Sequence, residues 1–356
     1  GAFGPSVGEF TELVDPGETW TLDISAYGIP DEWVGSAWIT SDYAVVTNVN
    51  RVKPSTEMAI TNTAAPSYWA LTSPDSGAAD CTWRNGGACE LYAPLVYQKY
   101  NGWNTGISIV NVAEYTNTVQ VTFYGPSGNV VGSDSVSIPA KAMEYIYIPN
   151  TGDIGLDDFV GAAVLSSTLP FHASIDEVKY ETVEAMSYIA TASGASLIHD
   201  VDLIFGTGAF SPDGAVAGLS LPLVQKGSQT TGLGDTSGIQ LFNPDPTFSV
   251  VADMWFFQPS GALAAPTLQQ PYTLTLSAHA TATVYTMDLS EMSAGFQGSA
   301  WIVPVLGSTI PANIGFLVGV SNNVNYDVEG DGSAAFNALN QFGQFRFFSS
   351  QTAPLA

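Results

Sequence analysis

Apolar and polar residues alternate along most of this chain. Val119, Val121 and Phe123 fall on one side of a run, and Gln120, Thr122 and Tyr124 on the other, the period of a half-buried strand. Tyr145 and Tyr147 separate from Ile146 and Ile148 in the same way. Turn chemistry divides the runs: Gly125-Pro126-Ser127-Gly128-Asn129, Asn150-Thr151-Gly152, Gln258-Pro259-Ser260-Gly261 and Asn85-Gly86. Many short strands between Gly/Pro turns predict an all-β chain of antiparallel sandwiches. The one weakly helical stretch is Ser333-Ala334-Ala335-Phe336-Asn337-Ala338-Leu339.

The pattern repeats. Val34-Gly35-Ser36-Ala37-Trp38-Ile39 returns as Val160-Gly161-Ala162-Ala163-Val164-Leu165 and as Gln297-Gly298-Ser299-Ala300-Trp301-Ile302. A turn-like tetrad precedes each by about 20 residues, as a repeating β unit requires: Val14-Asp15-Pro16-Gly17, Ile138-Pro139-Ala140-Lys141 and Leu276-Ser277-Ala278-His279. Ala93-Pro94-Leu95-Val96-Tyr97-Gln98-Lys99 opens one full copy, and Leu221-Pro222-Leu223-Val224-Gln225-Lys226 the next. This divides the chain into a partial unit (1–90) and two full units (91–218 and 219–356), each full unit an ordinary domain size. The first copy holds only the later half of the pattern. It must borrow closure either from strands after Gly86 or from a neighbouring molecule.

Ala93-Pro94-Leu95-Val96, Gly102-Trp103-Asn104-Thr105-Gly106-Ile107 followed by Asn111, and Gly161-Ala162-Ala163 carry a likeness. Through them the chain resembles secreted repeat proteins of filamentous and thermophilic bacteria. The resemblance implies tandem immunoglobulin-like sandwiches and a place on the cell surface or in an appendage. It carries over no catalytic residues. The last copy departs from it, with Gly232-Leu233-Gly234-Asp235-Thr236-Ser237-Gly238 in place of Gly-Trp-Asn-Thr-Gly.

Composition adds constraints. Eight Lys and Arg stand against 33 Asp and Glu, a net charge of −25 that repels nucleic acid and anionic membranes. No apolar run reaches membrane-spanning length. A start at Gly1 with no basic, apolar leader fits removal of a secretion signal. Cys81 and Cys89 bracket a turn-rich loop, and their spacing in an extracellular composition predicts one disulfide.

Candidate chemistry is sparse. His172, His199 and His279 are the only histidines, and no nucleophile elbow or triad order stands out, so an enzyme is not expected. His279 occupies the repeat position of Lys141 and Gly17, which reads as a turn. Calcium is the cofactor candidate, at Asn325, Asp327, Glu329 and Asp331, whose alternating oxygen donors precede a turn glycine. The bidentate Glu of such a loop is missing, because Phe336 stands in its place. Asp153, Asp157 and Asp158 form a second acidic loop.

These readings predict a secreted structural subunit of a filament or surface array whose partner is itself. Phe3, Val7 and Phe10 at one end, and Phe342, Phe345 and Phe347 at the other, are the candidate strands for exchange between subunits. The aromatic tail reads first as the strand that closes the last unit, and strand exchange is the sharper alternative. The alternative function is a carbohydrate-binding surface adhesin using turn-proximal aromatics such as Trp83 and Trp103, with surface glycans as partners.

Overall fold

Alternating runs become sheets where each finds neighbours to accept its backbone hydrogen bonds. A computed structural model describes residues 7–29, 33–39, 41–42, 48–53, 58–63, 89–182, 184–191, 219–227, 234–260, 271–305, 317–325, 327 and 333–340. Two sandwiches and a short hairpin account for its strands.

The first sandwich contains β3 (Cys89–Gln98), β4 (Asn104–Asn111), β5 (Asn117–Tyr124) and β6 (Val130–Ile138). It continues with β7 (Met143–Tyr147), β8 (Phe159–Ser167), β9 (Phe171–Lys179) and β10 (Glu184–Ile189). One sheet runs β3-β8-β5-β6 and the other β10-β9-β4-β7. The inward residues of β5, Val119, Val121 and Phe123, are fully buried between them.

The second sandwich repeats this strand by strand. Its members are β11 (Leu219–Lys226), β12 (Asp235–Phe242), β13 (Val250–Phe257) and β14 (Tyr272–Leu276). They are followed by β15 (Thr281–Tyr285), β16 (Phe296–Val305), β17 (Val318–Asn325) and β18 (Ser333–Asn337). The orders are β11-β16-β13-β14 and β18-β17-β12-β15, made continuous where β11 meets β12 at Lys226 and Thr236. A short β19 (Leu339–Asn340) pairs with β11, as Thr191 bridges Tyr92 in the first unit.

In each unit the second strand pairs the fifth and the third pairs the sixth, as in an immunoglobulin sandwich. The first strand, however, pairs the sixth and the seventh pairs the second, so the outer strands sit on the opposite sheets from that fold.

Fine structure repeats as well. β3 bulges between Ala93 and Val96, and β11 between Leu221 and Val224, so Pro94 and Pro222 sit where no ladder donor is needed. Opposite each bulge lies the motif glycine. A Cβ there would fall 2.2 Å from the Tyr124 carbonyl at Gly161 and 2.0 Å from the Phe257 carbonyl at Gly298. Asn111 donates to the carbonyls of Tyr115, Ile138 and Pro139, and Asn243 to those of Phe248, Leu276 and Ser277.

The leading unit keeps the same landmarks. Gly17, Lys141 and His279 all hold positive φ, at 85°, 56° and 53°. The next N–H closes the same turn each time, Glu18 to Asp15, Ala142 to Pro139 and Ala280 to Ser277. A single helical turn then follows: Ile24–Tyr27, α1 (Ile148–Thr151) and Thr286–Asp288. β1 (Asn48–Lys53) and β2 (Met58–Thr63) pair with Lys53 opposite Met58, matching Lys179 opposite Glu184 in β9 and β10. In sequence Val52-Lys53 and Ala59 align with Val178-Lys179 and Ala185.

Two sequence expectations change. Residues 33–39, read as the strand of the first Gly motif, form none. In the full units that strand is held between the first and third strands, and the described residues before 33–39 form no counterpart of either. Ser333–Asn337, read as weakly helical, is β18, because pairing with β17 overrides the helical preference of its alanines.

Replacing Asn111 or Asn243 with Asp removes a donor shared by three carbonyls and sets a carboxylate against them. The expected loss is about 2–3 kcal/mol of stability, measured by urea denaturation.

Candidate functional site

The largest contact between elements outside a single sandwich lies between the two units. The sheet of β17, β12 and β15 is laid across the outer face of the first unit, with β17 and β12 against β3. Tyr92, Ala162 and Val164 from the first unit are buried against Phe242 and Val318 from the second, with Tyr124 at the margin. The Phe242 ring lies 5.9 Å from that of Tyr92 and 6.2 Å from that of Tyr124. His279 packs 4.4 Å from the Tyr124 ring and stacks on Phe242. Burial holds its imidazole below the usual histidine range.

Turns lock the contact. Thr281 N–H donates to the Pro126 carbonyl at 3.2 Å, and a Cβ at Gly128 would fall 2.0 Å from the Ala278 carbonyl. This is why the Pro-Ser-Gly turn ends in glycine. At the side, β18 lies against β10: Ser333 donates to the Ala185 carbonyl, and Asn337 both donates to the Ile189 carbonyl and accepts from its N–H. Double-sided covering explains why β8, β12 and β17 are buried almost throughout instead of alternating.

The leading unit meets the first sandwich in a related way. β2 lies against β10 as β10 lies against β18. Trp38 shares the motif position of Val164, and Lys141 the turn position of His279. The Lys141 ammonium sits 5.6 Å from the Trp38 ring centroid.

Inside each unit a buried polar relay pins the first bulged strand. Tyr97 N–H donates to Thr105 Oγ1 at 2.6 Å, and Thr105 Oγ1 donates to Glu177 Oε2 at 2.5 Å. In the second unit Gln225 N–H donates to Ser237 Oγ at 2.9 Å, and Ser237 donates to Asn323 Oδ1. Glu177 is fully buried, and desolvation, with the Asp176 charge adding to it, pushes its carboxyl well above the usual range despite the Thr105 bond. Asn323, a neutral amide at the same position, does the same work without a charge. Tyr188 donates to the Leu95 carbonyl and accepts from the Leu95 N–H, fixing the bulge itself.

The sequence candidates are dispersed. Phe10 packs, with its ring tilted, 4.3 Å from that of Tyr27 of its own unit, and Val7 is exposed in a segment that forms no strand. Phe3, Phe342, Phe345 and Phe347 lie outside the described residues, as do Cys81, His199, Glu329 and Asp331. Cys89 is the first residue of β3.

Asn325 donates to Asp235 at 2.7 Å, while Asp327 accepts from Gly234 N–H at 2.6 Å and donates its own N–H to Asn325 Oδ1. Those oxygens brace the β12–β17 end, and among the described residues no three His, Cys, Asp or Glu side chains gather as a metal site. Asp157 pairs with Lys99 at 2.9 Å on the exposed surface.

Trp103, expected near the surface as a sugar platform, is buried in the first core, 6.2 Å from the Tyr97 ring. Positive φ at Asn101 and Gly102 folds the β3–β4 turn back and carries the indole inward. Trp83 lies outside the described residues.

Sequence reading sets Trp38 and Trp301 in repeat strands, in core or inter-subunit packing, without joining Trp301 to Trp255 and Phe257 in one face. Strand registers place Ser299, Trp301 and Phe257 of the second unit where Ala162, Val164 and Tyr124 stand in the first. Trp301 lies directly opposite Trp255 across β16 and β13. The signal was present in the Gly-x-Ala repeat, whose next residue is Trp38, Val164 or Trp301.

Compared with models of known protein families and with curated proteins, the chain gives no match. No described helix is long and apolar enough to cross a membrane.

Two outcomes follow from this geometry. Phe242→Ala costs about 3–5 kcal/mol and separates the two units into distinct calorimetric transitions. Glu177→Gln stabilises the protein, by an amount that grows with pH. The folded carboxyl binds its proton more tightly than the unfolded one, at about 4.3, so wild-type stability falls as pH rises from that value through the folded pKa. The neutral amide does not titrate, and melting curves across that range measure the difference.

Proposed function

We propose that this chain is a structural subunit of an extracellular filament or surface array, assembling with copies of itself. The observation that carries this reading is the repeated step between units. Strands β2, β10 and β18 are successive neighbours, and the first full unit meets the leading unit and the second sandwich through different residues. Contacts between unlike faces extend into open polymers and repeat arrays when their rotation does not close a ring.

The acidic, low-lysine surface supports the same reading, since it keeps long assemblies soluble and repels anionic membranes. An apolar layer of Tyr92, Ala162, Val164, Phe242 and Val318 lies between the units. Strand addition by the chain ends is a second route to the same assembly, resting on the Phe-rich sequences at residues 1–10 and 341–356.

Negative-stain microscopy of the purified protein tests the proposal, with long or sheet-like assemblies expected. Monodisperse single particles at every concentration and salt would refute it. Deleting 1–10 or 341–356 tests strand addition separately. That route predicts monomers from either truncation, and normal assembly by both would remove it.

A further inference from the structure

The covered face of the first unit has a counterpart on the second, and the sequence has made that counterpart more aromatic. Val164 becomes Trp301, Thr122 becomes Trp255, and Tyr124 becomes Phe257. In the first unit Ala162 and Val164 are buried beneath the second. In the second unit Ser299, Trp301, Trp255 and Phe257 remain half-buried, and no described strand is laid across them. The indole N–H of Trp301 is itself buried at the edge of this face and finds no acceptor among the described residues.

The position of Trp301 has a consistent use elsewhere in the chain. Trp38 at this position touches the following unit at Lys141, and Val164 touches the following unit at Phe242. Resting on the reading above, we infer that the Trp301–Trp255–Phe257 face docks against the leading unit of a second copy, continuing the step that joins the units within one chain.

The leading unit supplies what that face needs. Its Asp15-Pro16-Gly17 turn has the conformation and closing hydrogen bond of the Ala278-His279 turn, which packs against the first unit. Unlike that turn, it is exposed. Its β1–β2 hairpin has the register of β9 and β10, the hairpin whose last strand lies beside the next unit. The occupant is therefore a second copy presenting its Asp15-Pro16-Gly17 turn and β1–β2 hairpin, and the association is by sheet faces, not by strand insertion.

The test uses the full chain in three forms: wild type, the double variant Trp255→Glu/Trp301→Glu, and Ser299→Arg. Ser299→Arg adds bulk at the position where Ala162 is completely buried in the first unit, while leaving the cores untouched. Sedimentation and microscopy measure the critical concentration for assembly, and near-ultraviolet circular dichroism of the unassembled protein reports folding. Both variants should fold and should raise the critical concentration on the order of tenfold or more, as loss of a central aromatic anchor does. Trp255→Phe/Trp301→Phe should assemble close to wild type. If wild type assembles and folded Ser299→Arg assembles equally well, the face is wrong while the subunit reading stands. If wild type never assembles, the subunit reading fails and the face falls with it.

Discussion

Everything in this architecture depends on burying the outside of a sheet. A sandwich normally spends one face of each sheet on its core and leaves the other to water. Here Tyr92, Ala162, Val164, Phe242 and Val318 form a second apolar layer between units. The strands beneath it are consequently apolar on both faces. β8 and β12 read as nearly continuous buried runs, whereas β5 keeps a clean alternation. The inter-unit contact thus adds a core-like layer to both neighbours, and a break there reaches into two sandwiches at once.

The two units solve one folding problem with interchangeable chemistry. The relay from the bulged first strand ends on Glu177 in one and on Asn323 in the other. Gln98 donates into the Ile154 and Leu156 carbonyls, and Lys226 reaches the Leu289 carbonyl from the same position. What the fold demands at these places is a donor or acceptor of the right reach. Charge is tolerated where a partner or a raised pKa neutralises its cost.

Much of the fold was legible because β periodicity and turn residues are local signals. Val119 to Tyr124 declared its two faces, and the tetrads around Gly17, Lys141 and His279 declared one turn three times. What stayed hidden was decided by distant partners. The alanines of Ser333–Asn337 favour a helix until β17 offers a ladder. Residues 33–39 carry a strand motif, but no described strand flanks it. Trp103 looked like a surface platform because it follows a glycine, yet the left-handed turn before it swings the ring inward. The face at Trp301 and Trp255 could be seen only once register put them opposite each other.

The edge of β10 has a further consequence. Its open carbonyls and amide are satisfied by Ser333 and Asn337, side chains of the neighbouring unit. When the second sandwich melts, those side-chain partners leave with it, and part of a strand edge loses its cover. The guard against misassembly is lent by a neighbour, so the two sandwiches are coupled through a pair of small polar residues.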